Sequence, residues 1–264
     1  MSTILIVEGH SPALVEAAIA RGDTGLAQIF AGALWAIDPD LTIRTVAPYA
    51  GETLELDGVD GVVFTGSGVE WSTEDTRTAP LHTAMALALK SGLPVHGSCY
   101  GMQLAPSVLG GKVGASPNGC EDGLACDIRL TDAGRAHPMM AGRRDGFAVP
   151  CVHRDEVLDL PVDAVLLASN AHSRVQAFAY SAHGADFWGC QYHPEYSPTF
   201  VADGLDRFRP GSEGVTKDLR AAATDDTAAA KFATNVTELS LPKRDIELRN
   251  WLAHVAVRSE SVAA

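Results

Sequence analysis

Cysteine is scarce in this 264-residue sequence, and its five copies, Cys99, Cys120, Cys126, Cys151 and Cys190, form an odd set without close pairs. That excludes a disulfide framework as the source of stability in a chain of this length. No CxxC or HxxxH spacing occurs and the nine histidines are scattered, so no local signature of a zinc site exists and no metal is expected. Basic residues are in deficit: 20 Lys and Arg face 33 Asp and Glu, for a formal charge of −13. Nucleic acid and anionic membrane, both negatively charged, are disfavoured as partners, whereas a small ligand, zwitterionic for instance, fits better. No apolar run approaches the length of about eighteen residues that a spanning helix needs, and no basic, apolar and small-residue export pattern opens the chain. A cytoplasmic location is expected, which leaves the Asn235-Val236-Thr237 sequon idle. A GxxxxGK phosphate loop is also missing, and no cofactor is implied.

What is present is enough apolar material, 46% of residues, for one full core, with 20% charged positions. Thr3 to Val7 and Val59 to Phe64 are short, β-branched, nearly continuous apolar runs, the pattern of strands buried on both faces. Between them Leu26 to Ile37 has helical spacing and stops before Asp38-Pro39, and Leu41 to Val46 alternates as a strand does. Pro80 to Lys90 repeats the helix, closed by Ser91-Gly92, and Pro94 to Gly97 the strand. The expected fold is α/β, a doubly wound, mostly parallel sheet in flavodoxin-like or Rossmann-like layers. After Gly110-Gly111 shorter strands follow, at Ala125 to Leu130, Ala148 to Val152, Ala164 to Ala168, Val175 to Tyr180 and Phe187 to Gln191. These read as added antiparallel strands of the same domain. From Pro198 onward a Gly- and charge-containing loop, an Ala/Thr/Asp-rich stretch at Ala221 to Ala230 and a helix around Arg244 to Val257 are expected. The division is thus 1–198 for the domain and 199–264 for a C-terminal helical extension packed on it by a loosely ordered linker.

The stretch Gly97-Ser98-Cys99-Tyr100-Gly101 stands between the fourth strand and a helix through Met102, Gln103 and Leu104. A cysteine flanked by glycines at a strand-to-helix turn has two readings: a small side chain packed in a tight turn, or a nucleophile elbow that holds a strained residue at the sheet's carboxyl edge. The partial positive charge of a helix N-terminus there favours a thiolate. Far downstream, in Gly189-Cys190-Gln191-Tyr192-His193-Pro194-Glu195, a strand is expected to end on a histidine, proline blocks a helix, and a carboxylate follows. Alone, His193 is a rim histidine; beside Cys99 at one sheet edge it is placed to take and return a proton, with Glu195 orienting the ring.

GxCxGxQ followed by QxHPE resembles the class I, triad-type glutamine amidotransferases, and in particular single-domain, GMP-synthase-like glutaminases, over roughly Thr3 to Pro198. The resemblance implies an α/β glutaminase layout with Cys99 as nucleophile, His193 as base and acid, and Glu195 as orienting carboxylate. It implies an oxyanion hole from the N–H of Tyr100 and from the loop Phe64-Thr65-Gly66-Ser67-Gly68, with Ser67 the nearest equivalent and Gly66 close behind. Gln103 matches the glutamine that helps seat a γ-glutamyl group, although a helix-surface or capping role serves equally. His153 and Asp155, in Val152-His153-Arg154-Asp155-Glu156-Val157, match a family segment and are read as structural. His96 takes a strand position usually apolar in the family and is expected to be satisfied and partly buried. Pro106 should kink or shorten the elbow helix. The implied chemistry is cysteine-dependent hydrolysis of a γ-glutamyl amide, glutamine or an N-substituted relative, through a γ-glutamyl thioester. Two alternatives stand beside it: a glutaminase subunit that delivers ammonia to a synthetase partner, and a non-catalytic binding module.

Overall fold

The structure, a computed structural model, describes residues 2–263, and side chains through Glu260; the outermost positions of the expected segments, 1 and 264, lie outside the described residues. In chain order the first half holds β1 (Thr3–Val7), α1 (Pro12–Ala20), α2 (Leu26–Ile37), β2 (Thr42–Val46), β3 (Gly61–Phe64), α3 (Ala79–Ser91), β4 (Pro94–Ser98) and α4 (Tyr100–Leu109). The second half adds β5 (Lys112–Ala115), β6 (Glu121–Leu130), α5 (Asp132–Ala136), β7 (Phe147–His153), β8 (Asp155–Asp159), β9 (Val165–Ser169), β10 (Ala177–Tyr180) and β11 (Asp186–Cys190). Five helices close the chain: α6 (Pro198–Phe208), α7 (Glu213–Ala222), α8 (Asp226–Ala229), α9 (Val236–Leu239) and α10 (Ile246–Ala263).

One nine-stranded sheet runs β2-β1-β3-β4-β11-β10-β9-β6-β7. Its first five strands pair in parallel, and β10, β9, β6 and β7 continue it antiparallel. Strand alternation feeds two cores. Ile4, Ile6 and Val63 pack with Phe30 and Leu34 of α2 and Leu248, Trp251 and Val255 of α10. Leu5, Val7, Val62 and Phe64 pack on the opposite face with Leu81 and Met85 of α3 and Met102 and Leu104 of α4. Both faces are therefore covered, which is why the strands read as unbroken apolar runs. The doubly wound reading stands, and the insertion of β11 beside β4 has a functional result: it sets the residues after Cys190 next to the turn after Ser98.

One expectation changes and two elements are new. The stretch from Pro198 is not a loop but the helix α6, because Ser197 accepts the Phe200 N–H and Pro198 fills the first turn, where its missing N–H costs nothing. The element β5, paired antiparallel with β8 in a separate two-stranded ribbon, was not anticipated, nor was α1. Pro106 does lie inside α4, which ends one turn later at Leu109 on Gly110 in the left-handed region.

The tail is fastened to the body by a buried ion pair. Arg143 and Glu247, almost wholly shielded, meet at 2.5 Å, and Arg143 also donates to the carbonyls of Lys243 and Arg244 at 2.6 Å each. Tyr192 donates its hydroxyl to the same carboxylate at 2.7 Å. Among the described residues no helix is long and apolar enough to cross a membrane.

Candidate active site

Cys99 joins β4 to α4 with φ 51° and ψ −110°, a conformation that costs a non-glycine residue about 1–3 kcal/mol. The flanking glycines explain how the turn closes. A Cβ on Gly97 would lie 2.6 Å from the Gly101 carbonyl, and one on Gly101 would overlap the Phe64 carbonyl of β3. Both are close-approach positions that only hydrogen fits. The elbow is pinned by the Cys99 N–H, which donates to the Cys190 carbonyl at 2.8 Å. The thiol, 6% exposed at the residue level, faces the Val152 carbonyl at 3.7 Å.

The strand β11 ends at Cys190, so His193 is not its last residue as expected but sits in the following loop, where its N–H donates to the Pro150 carbonyl at 2.8 Å. The imidazole is buried, stacked on Tyr196 with centroids 4.1 Å apart and planes 12° apart. Nδ1 lies 2.7 Å from Glu195 Oε1, while Nε2 is buried and lacks a hydrogen-bond partner. Gly66 marks where the ring and the sulfur residue converge: a Cβ there would be 2.9 Å from His193 Cε1 and 3.7 Å from Cys99 Cβ. Burial alone would disfavour the imidazolium, but the charges of Glu195 and Cys99 beside the ring outweigh it and raise His193 to about 10. An imidazolium held between a carboxylate and a sulfur is an arrangement suited to thiolate chemistry.

Around this centre the remaining predicted residues divide. Gly66 backs the ring, whereas the Ser67 hydroxyl is spent on the Gly9 carbonyl at 2.7 Å. Tyr100 opens α4, so its N–H is among the four donors a helix start leaves without an intrahelical acceptor, and its hydroxyl pairs with Thr78 at 3.0 Å. Gln103 is 2% exposed, which rules out the helix-surface alternative; its Nε2 donates to the Asp155 carbonyl at 2.6 Å and to Gln191 at 3.1 Å. His96 is fully rather than partly buried, between Phe30 and Trp251, and its Nδ1 has no partner. Expectation and structure differ there because the apolar walls offer only the Cys190 sulfur, 4.0 Å from Nε2.

Three participants escaped the sequence reading. Ser98 places its hydroxyl 3.0 and 3.1 Å from the two oxygens of Glu195. Tyr196 supplies the stacking face for His193; its place directly after HPE was the only available signal. Glu121 pairs with His153, 2.9 Å from Nε2, and Arg154 binds Asp155 at 2.9 Å, so His153 and Asp155 sit in hydrogen-bonded architecture. Among the described residues, the one group with ligand atoms close enough for a metal ion is Glu121, Cys151 and His153, all within 4.8 Å. Its carboxylate already accepts from Asn170 at 2.6 Å and Gln176 at 2.7 Å as well as pairing with His153.

Residues 33–203 match the glutamine amidotransferase class-I family. The chain belongs to that family. Among its curated relatives, a gamma-glutamyl-L-1-hydroxyisopropylamide hydrolase from a Pseudomonas species is 32% identical over 225 residues, 78% of this chain and 75% of that protein. Gamma-glutamyl peptidase 5 of Arabidopsis thaliana is 31% identical over 154 residues, 58% of this chain and 60% of the peptidase. Among solved structures, a glutamine amidotransferase from Thermotoga maritima superposes with a TM-score of 0.64 at 19% identity, covering 96% of this chain and 97% of that one, a likeness of fold. The amidotransferase match ends at residue 203, inside α6, so Arg143 lies within the matched range and its partner Glu247 beyond it.

Proposed function

We propose that this class I amidotransferase hydrolyses the amide bond of an N-substituted γ-glutamyl amide through a thioester on Cys99. The observation that carries the reading is His193: one nitrogen held by Glu195, the other idle, the ring converging with Cys99 on Gly66. In the first half-reaction the Cys99 thiolate attacks the δ-carbonyl carbon, whose oxygen becomes an oxyanion facing the N–H groups of Tyr100 and of the Gly66–Ser67 turn. Each such donor is worth about 3 kcal/mol in the transition state. Collapse breaks the C–N bond as His193 gives its proton to the leaving amine. In the second, water attacks the thioester while His193 takes its proton; glutamate leaves and the thiolate–imidazolium pair is restored.

Preference for a substituted amide over glutamine is supported by the relative whose activity is on a hydroxyisopropylamide and whose length this chain spans by three quarters. Cytoplasmic location, the 1–198 and 199–264 division, and the roles of Gly66, Ser67, Tyr100 and Gln103 belong to the same proposal. The test offers the purified protein L-glutamine beside a panel of N-alkyl γ-glutamyl amides and quantifies glutamate. Faster release from a substituted amide is expected. Release from glutamine alone, rising when a synthetase-containing extract is added, would instead make the chain an ammonia-delivering subunit, and binding without release would make it a non-catalytic module.

A further inference from the structure

We propose that Ser98, the residue before the candidate nucleophile, is a positioning residue that fixes the plane of the Glu195 carboxylate and thereby the aim of His193; the inference rests on the reaction proposed above. Ser98 is wholly buried at the carboxyl end of β4. Its hydroxyl lies 3.0 Å from Glu195 Oε1, 3.1 Å from Oε2, 3.2 Å from the Tyr192 carbonyl and 3.4 Å from His193 Nδ1. It has one proton to give, and the charged acceptor takes the stronger bond. His193 serves Oε1, so among the described residues Ser98 is the only donor Oε2 has.

That division of labour matters because the last torsion of a glutamate side chain is broad and roughly two-fold. A single bond to His193 would leave the carboxylate free to twist; a second donor set against both oxygens fixes its plane. The Glu195 side chain is 1% exposed, so water gives little help if Ser98 is lost. The charged or titratable groups near this carboxylate are His193, Cys190, Tyr196 and Arg244, with Cys99 on the far side of His193, and of these His193 alone hydrogen-bonds to it. One peptide unit thus carries both the sulfur and the anchor of the acid that orients its base, which ties the geometry of the two ends of the site together through a single covalent link.

The test compares S98A and S98T with the parent in two assays. The first is steady-state hydrolysis of a γ-glutamyl amide. The second is peptide-resolved alkylation of Cys99 by iodoacetamide as a function of pH, which separates it from the exposed Cys120 and needs no γ-glutamyl substrate. S98A should lower kcat about tenfold or more with KM within about twofold, the loss expected for one hydrogen bond to a charged group. With His193 less firmly aimed at the sulfur, Cys99 alkylation should slow several-fold across the neutral part of the pH series. S98T, which keeps the hydroxyl, should restore both. A parental kcat and alkylation profile in S98A overturns the proposal, as does equal impairment of S98A and a folded S98T. Should the added methyl prevent folding, the S98A alkylation profile still decides. If the parent cleaves no γ-glutamyl amide, the reaction proposed above fails while the alkylation profile continues to judge Ser98.

Discussion

Among the described residues two histidines, His153 and His193, are each buried against a glutamate, and the two pairs differ in how fully they are bonded. His153 uses both ring nitrogens, Nε2 with Glu121 at 2.9 Å and Nδ1 with the Asp155 carbonyl at 3.0 Å, and Glu121 is further bonded to Asn170 and Gln176. His193 uses only Nδ1, with Glu195 at 2.7 Å, and leaves Nε2 buried without a partner beside a strained cysteine. A saturated pair can only hold strands together. An unsaturated one leaves a buried valence open, and the cost of that is the kind of local strain that functional sites carry.

The contrast can be broken by substitution. C99A should lower glutamate release by at least about 10³-fold while the protein still folds, since only the sulfur is removed and Glu195 still pairs with the buried His193 ring. Circular dichroism and glutamate assay of the same sample check it, and substantial residual turnover would remove Cys99 from the reaction. E195Q should cost about 10² to 10⁴ in kcat. H153Q should behave differently, losing about 2 kcal/mol of stability because the buried Glu121 carboxylate loses one of its three hydrogen-bonding side chains, and retaining measurable kcat once folded. If H153Q instead keeps its melting temperature and loses its turnover, the distinction between the two pairs is wrong.

A pH series sharpens the same comparison. His193 is raised to about 10 in the folded protein, above its unfolded value of about 6.5, so its protonation contributes stability that is full below about 6.5 and disappears as the pH climbs through about 10. The melting temperature should fall over that interval, and H193Q should flatten the fall. His96 works in the other direction. Burial lowers it to about 3, so the stability tied to its neutral form is present above about 6.5 and is lost as the pH falls from there toward about 3. H96L, with no unpartnered nitrogen to bury, should move the acid unfolding midpoint down and leave the neutral-pH melting temperature within a few degrees, the smallest effect in the series.

Much of this was legible from residue order. The parallel strands announced themselves because both faces are covered and Leu5, Val62 and Val63 had no reason to alternate with polar residues. The elbow was legible because Gly97 and Gly101 are required by backbone approach, a need that leaves a mark in sequence. What stayed hidden depends on partners far along the chain. The β5–β8 ribbon exists only through pairing of Lys112–Ala115 with residues 155–159, and four short residues carry no periodicity of their own. Ser98 could not be told from any small residue in a tight turn until Glu195, 97 positions later, was seen to face it. The helix α6 was missed although Ser197-Pro198 is a start signal, because the Gly and Asp content of the following residues outweighed a cap that spans only four positions.

The clasp formed by Arg143, Glu247 and Tyr192 carries a consequence for how the chain can be shortened. A polypeptide stopped at residue 203, where the match to the family domain ends, would strip Arg143 of its counter-charge and of the carbonyls it bonds. It would also strip the acceptor from a phenol whose backbone neighbour is His193. The last sixty or so residues are thus a buttress for the sheet edge that carries Cys99 and His193, and a trimmed protein should come out of the cell insoluble.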